Sequence, residues 1–408
     1  MVKFFNASFL DNSIKLLFLN LFLFPIYPDN VKPSMLGLFC LFSIIYFFKK
    51  DRMFNHKKGI SIFFMNSIPF LVVLLSMFYT SNFTYGKILL LRLLPLFLFP
   101  FSFYLLKSNK KIYTNRCLFL GKLFYYSTTL FLFIVIFLYF LYKGYVTENY
   151  FLNYSYRIIF QLGKYSIHPI YASLYTSIAL LFSISLFRVN KFKIYVLLGN
   201  IILIVHLLLL SRKSAIFLMT GIFLLYLFFN KKIKIKIKLI AFLSIFILGI
   251  SVYNFVPDIS NRFKDLVSFV NSNNNKSSSN LRINIYKTSI PLIKEKPYFG
   301  YGIGAGEDVL FQKENTINFF NSKNYNSHNQ YLGYALNAGL FGLVFFLFFI
   351  FKNLKIAFQN SFEHSSLIVF FILLMFVENI LDRQNGILFF SLFINYFAFY
   401  AVLNEKQK

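Results

Sequence analysis

The residues best equipped for chemistry are gathered between Arg282 and Gly342, in a stretch that opens RINIYKTSIPLIKEKPYFGYGIGAG and closes NSHNQYLGYALNAGLFG. Arg282 starts a segment of helical periodicity over residues 281–293, with Leu281, Ile285, Thr288 and Leu292 on one face and Pro291 and Pro297 breaking it. Gly300, Gly302, Gly304 and Gly306 then alternate with other residues. Glycines at this density let a backbone approach its neighbour closely, and adjacent free N–H groups can hold an anion. Two readings therefore stand side by side, an anion-binding backbone and a tight packed turn. No helix opening with Lys-Ser/Thr follows, so the segment is not a P-loop. His328 and Asn329 end the polar run, just ahead of an apolar one that begins with Tyr331. A third cation lies far off in sequence: Arg212, in LLLLSRKSAIFL, is fixed in a tight turn between two apolar runs. Taken alone, it reads as a helix-end arginine reaching for the membrane surface.

The elements that must position these groups are membrane helices. Hydrophobic residues make up 58% of the 408 residues and charged residues 14%, and apolar runs recur from end to end. The fold class expected is all-α, a polytopic transmembrane bundle of about twelve spans with one long, partly helical periplasmic loop. The last three spans are placed at about residues 331–350, 367–380 and 387–403. The chain then divides into N-terminal transmembrane helices over 1–255, the large loop over 256–330 and C-terminal transmembrane helices over 331–408. The loop itself opens with VPDISNRFKDLVSFV, which suits a short amphipathic helix on the membrane, followed by the polar linker NSNNNKSSSN.

The net charge of +28 is distributed in short clusters between apolar runs, which speaks for membrane topology and against nucleic acid. Every second connector is basic: Lys49, Lys50, Arg52, Lys57 and Lys58, then Lys107, Lys110, Lys111 and Arg116, and so on to Lys406 and Lys408. Short basic loops stay in the cytoplasm, so both termini are expected inside and Arg212, the 256–330 loop and His328 outside. Lys3 precedes an apolar run without a small-residue cleavage site, which reads as a retained first helix. Cys40 and Cys117 offer neither a disulfide framework nor metal-ligand spacing, and no metal or other cofactor is expected. Of the histidines, His206 falls inside a span as a hydrogen-bonded interior residue and His168 at an outer edge as a cap. His328 combines an outer position, a polar approach and a nearby Arg-bearing, Gly-rich segment.

In this order and on these sides of the membrane, the motifs resemble the O-antigen ligase and polymerase superfamily. The residues that carry the resemblance are Ser211 and Arg212, then Arg282 and Tyr286, then Pro297, Gly300 and Gly302, then His328, Asn329, Tyr331 and Leu332. Tyr286 stands where the family often has Trp, and Asn337 where an acidic residue is common. The resemblance implies transfer of a glycan from an undecaprenyl-diphosphate carrier to a lipid A-core acceptor, or to a second carrier-linked glycan, at the periplasmic face of the bacterial inner membrane. It implies Arg212 and Arg282 on the diphosphate and His328 as general base, with Asn329, Tyr286, Gly300, Gly302 and Tyr331 in contact with substrate. No Asp-x-Asp motif occurs in the loop, so two permanently charged guanidinium groups take the place of a metal, and inversion at the anomeric carbon is expected. The single dominant loop favours ligase over polymerase. A carrier-linked-sugar transporter, the reading from another class, requires charges facing a midplane cavity, and only Arg92, His206 and Glu378 fall within apolar runs.

Overall fold

The computed structural model describes residues 7–50, 57–113, 117–142, 154–155, 158, 162–189, 193–210, 212–229, 233–255, 278–316 and 326–404. In chain order its helices are α1 (Ala7–Leu21), α2 (Val31–Lys50), α3 (Lys57–Ser76), α4 (Phe83–Leu93), α5 (Pro95–Leu105), α6 (Lys110–Tyr113), α7 (Cys117–Tyr142) and α8 (Pro169–Val189). There follow α9 (Lys193–Leu210), α10 (Lys213–Phe229), α11 (Ile235–Phe255), α12 (Ser278–Glu295), α13 (Ala305–Thr316), α14 (Gln330–Asn360), α15 (Phe362–Leu374) and α16 (Gln384–Asn404). The protein is an all-α polytopic membrane protein.

Eight of the described helices are long and apolar enough to cross a bilayer. Part of the difference from about twelve comes from short apolar helices, since the 13 residues of α15 extend only about 20 Å against a hydrocarbon core of about 30 Å. The span expected over 367–380 therefore ends early, at Leu374, and leaves residues 375–383 as an irregular connection. The amphipathic helix expected over 256–270 and the linker expected over 271–280 lie outside the described residues, except that 278–280 open α12 as helix.

Phenylalanine, 60 residues of it, fills the core. Phe18, Phe22, Phe39, Phe103 and Tyr396 meet edge-on and stacked at centroid distances of 5.4–6.3 Å, tying α1, α2, α5 and α16 together. Polar links add direction. Asn353 donates to Asn66 at 2.8 Å and Asn66 to Asn395 at 2.9 Å, so α14, α3 and α16 are joined inside the bundle by groups that have no water to turn to. The rim is apolar, with Phe133, Phe137, Leu197, Ile201, Leu347 and Phe351 exposed, as lipid-facing surfaces require.

The helix ends fall into two sets. Ser76 at the end of α3 accepts from the Ile303 N–H, and Gln330 at the start of α14 donates to Met375 after α15, so these termini share one end with α12 and α13. At the opposite end lie the connections bearing Lys49, Lys50, Lys57 and Lys58 and those bearing Lys107 and Lys110.

Candidate functional site

α12 presents Ile285, Leu292, Thr288 and Ser289 as its buried face, the stripe expected from periodicity. This face packs with Tyr301, Ala305, Leu310 and Leu336 into a second small core. Pro291 does not end the helix, because it lies on the exposed side; the helix stops at Glu295, just ahead of Pro297.

The glycine-rich elbow that follows is threaded into a break in α14. Gly339 has φ 65° and ψ −167°, which severs the helix. The carbonyls of Leu336 and Asn337 then accept from the N–H groups of Tyr301 (2.8 Å) and Gly302 (3.0 Å). In return, the N–H groups of Leu340 and Phe341 donate to Pro297 (2.7 Å) and Tyr298 (3.2 Å). A β-carbon on Gly300 would lie 2.4 Å from the Leu336 oxygen, and one on Gly302 equally close to Thr80 Cα. The Gly300 N–H is itself bonded to Lys296. The amides of Gly300 and Gly302 are thus engaged by protein carbonyls, and close packing explains the glycines.

Across the break, the first part of α14 carries the His328 turn. His328 has φ 44°, the one positive φ at a non-glycine among the described residues. The turn is fastened on both sides. Asn326 Oδ1 accepts the His328 N–H at 3.1 Å, and Asn329 Oδ1 caps α14 by accepting from Tyr331 and Leu332. Ser327 and Asn379 pair at 3.0 Å, and Gln330 Oε1 accepts from the Leu381 N–H at 2.8 Å. The 375–382 connection is therefore bonded to the His328 turn along its length.

That connection delivers Glu378. Its Oε1 accepts from Arg282 Nη2 at 2.7 Å, and its Oε2 stands 3.4 Å from His328 Nδ1. Burial pushes the carboxyl pKa up, but the bond to His328 and the charge of Arg282 outweigh it and hold Glu378 below the usual value. It is therefore ionised at neutral pH and can only accept, so in this contact Nδ1 of His328 is the donor. The buried Nε of Arg282 has no acceptor among the described residues.

His168, directly before α8, feels Arg383, Arg212, Glu378 and His328 together, which brings Arg212 into the same electrostatic neighbourhood. Burial first, then Arg383 and Arg212, lower its pKa to about 4, so this imidazole is neutral. Tyr286 donates to the His328 carbonyl at 3.3 Å and to that of Phe376 at 3.0 Å, bracing the site. Tyr331 is buried, donates to Ile372 at 2.9 Å and stacks on Phe376. The contacts of Tyr331 and the Oδ1 of Asn329 are thus with protein. Ser211 lies outside the described residues, and His206 is an interior residue whose Nδ1 is 2.9 Å from Thr176.

Sequence reasoning missed Glu378, absorbed into an apolar run; its signal was an ionisable residue at the end of that run. His168 is the cap expected, its Nδ1 3.5 Å from the Ile170 N–H, and in addition feels the charges around Glu378. Under the elbow, Glu307, Asp382, Gln330 and Asn337 line a cavity of about 40 Å³. Burial pushes both of its carboxyls above their usual range, and the charge of Asp382 raises Glu307 further, so the pair retains a proton at neutral pH.

Among curated proteins, none matches the chain significantly. A family match covers α9 to the first part of α14, taking in Arg212, Arg282 and His328 and leaving Glu378 and His168 outside. Residues 196–347 match the family model described as O-Antigen ligase, and over that part the chain is similar to this family.

Proposed function

We propose that the site transfers a glycan from an undecaprenyl-diphosphate carrier to a sugar hydroxyl of a lipid A-core acceptor, at the periplasmic face of the inner membrane. What supports this most is the meeting of Arg282 and His328 on one carboxylate in a chain similar to this family. His328 Nε2 takes the proton of the acceptor hydroxyl, whose oxygen forms the new bond to the anomeric carbon from the face opposite the leaving group. The bond from that carbon to the diphosphate oxygen breaks, and its electron pair leaves with the carrier. Negative charge grows on the diphosphate as this happens, and Arg282 and Arg212 meet it with guanidinium groups suited to phosphate oxygens. The anomeric configuration inverts. No metal is required by this scheme, so turnover is expected to survive exhaustive chelation.

The test is complementation in cells lacking their own ligase. The chain should restore glycan on lipid A-core, while His328→Ala and Arg282→Ala, still inserted in the membrane, should lower attachment by about 10²-fold or more. Normal attachment by either variant refutes the assignment. Accumulation of single repeat units on lipid A-core, instead of polymer on the carrier, when the protein is lost would make it a polymerase.

A further inference from the structure

One carboxylate holds both side chains of the proposed chemistry, and it holds them unequally. The Arg282 contact, at 2.7 Å, has the length of a full charge-assisted hydrogen bond, whereas the His328 contact, at 3.4 Å, is long. Arg282 and His328 keep 30% and 24% of their side chains exposed, and Glu378 keeps 10%. A ligand entering the site meets the cation and the imidazole before it can reach the carboxylate. The stem of Glu378 is also fixed. Its N–H donates to Leu374 at 3.0 Å, and its neighbours Asn379 and Leu381 are bonded to Ser327 and Gln330. The long arginine side chain is the partner able to move.

We propose that Glu378 is a positioning residue that exchanges partners when the donor binds. Without donor it is held chiefly by Arg282. The donor's diphosphate competes for the guanidinium, Nη2 leaves Oε1, and the carboxylate closes on Nδ1–H of His328. The first substrate thereby tightens the contact that orients the imidazole for the second substrate. The exchange breaks and forms hydrogen bonds only. It rests on the transfer reaction proposed above and adds an order to it, donor before acceptor.

Groups facing Glu378 are Arg282 and Tyr286 on α12, His328 in the turn before α14 and His168 before α8; Arg212, Arg383 and Asp382 complete the charged surroundings. The test uses full-length protein in vesicles, with undecaprenyl diphosphate as the binding probe and donor plus acceptor for turnover. Glu378→Gln keeps the shape and removes the charge. It should bind the carrier as tightly as the parent or more so, since Arg282 is released, while kcat falls by about 10²-fold. Glu378→Asp should recover part of kcat.

Weaker carrier binding with unchanged kcat overturns the proposal. So does joint loss of binding and thermal stability that Glu378→Asp does not relieve, which would make Glu378 a structural pillar. If His328→Ala is active, the transfer reading itself fails. If His328→Ala is inactive and Glu378→Gln turns over like the parent, only the exchange fails.

Discussion

The hydroxyl of Tyr286 reaches the carbonyl oxygen of His328 at 3.3 Å, joining α12 to the turn that carries the proposed base. The same hydroxyl reaches Phe376, so one proton is shared between two carbonyls on either side of Glu378. Tyr286→Phe should leave carrier binding nearly intact and lower kcat about tenfold, with a loss of stability of about 1 kcal/mol. Steady-state kinetics and thermal unfolding of the purified variant check both parts; an unchanged kcat removes Tyr286 from any positioning role.

Arg282→Lys is expected to behave more like Arg282→Ala than like the parent. Lysine can keep one contact to Glu378 but lacks the fork that serves a carboxylate and a phosphate together. Turnover should fall by about 10²-fold, with KM for the donor raised. Equal activity with lysine would show that only a point charge is needed.

Gly339→Ala tests the broken helix. A β-carbon there would stand 2.2 Å from the Tyr298 oxygen, on a residue with φ 65°. The expected loss is about 3 kcal/mol or more, seen as poor accumulation or early thermal unfolding. Gly221→Ala, where nothing lies within 4 Å of the added carbon, is the control and should be neutral or slightly stabilising.

His168 should make the fold sensitive to acid. Its folded pKa, about 4, lies below the ordinary 6.5, so between these values the unfolded chain binds the extra proton. Its stabilising contribution is complete above about pH 6.5 and disappears as pH falls towards 4, by on the order of 2–3 kcal/mol. His168→Gln should flatten that part of the stability profile. A parent protein whose unfolding temperature is constant from pH 7 to pH 4 contradicts this.

The carboxyl pair under the elbow has the opposite sign. Because burial raises the folded pKa of Glu307 from 4.5 to about 8, its stabilising contribution is full below about pH 4.5 and is lost as pH rises towards 8. Glu307→Gln retains a partner for Tyr85, whose hydroxyl is 3.1 Å from Glu307, and carries no charge. Its unfolding temperature should come closest to the parent near pH 4 and exceed it increasingly up to about pH 8. A variant less stable at both values would show that the carboxylate itself is needed.

What could be read from the sequence followed chemistry that is local. The α12 stripe and the approach to His328 are periodicity and polarity, and both are legible in one dimension. Glu378 was not, because FILLMFV runs into ENIL without glycine or proline, so hydropathy continues past the point where the helix stops at Leu374. The stop is set by bonds from the far-off His328 turn, such as Gln330 to Met375. The glycines at 300 and 302 fitted two readings equally, and only their distance to Leu336 and Thr80 separates these. His168 caps its helix as expected, but its charged neighbours come from three remote connections and were not legible.

The threaded break in α14 also relocates the boundary between the site and the bundle. Leu336 belongs to the small core of α12 and α13, whereas Tyr331, Tyr334 and Ala338 around it, like Phe346 and Phe349 beyond Gly339, belong to the large one. The seam between the two layers therefore runs along a face of a single helix, and four backbone bonds at its break stitch it shut. A substitution at the elbow is in effect a change in how Arg282 and His328 are aimed, even though it touches neither.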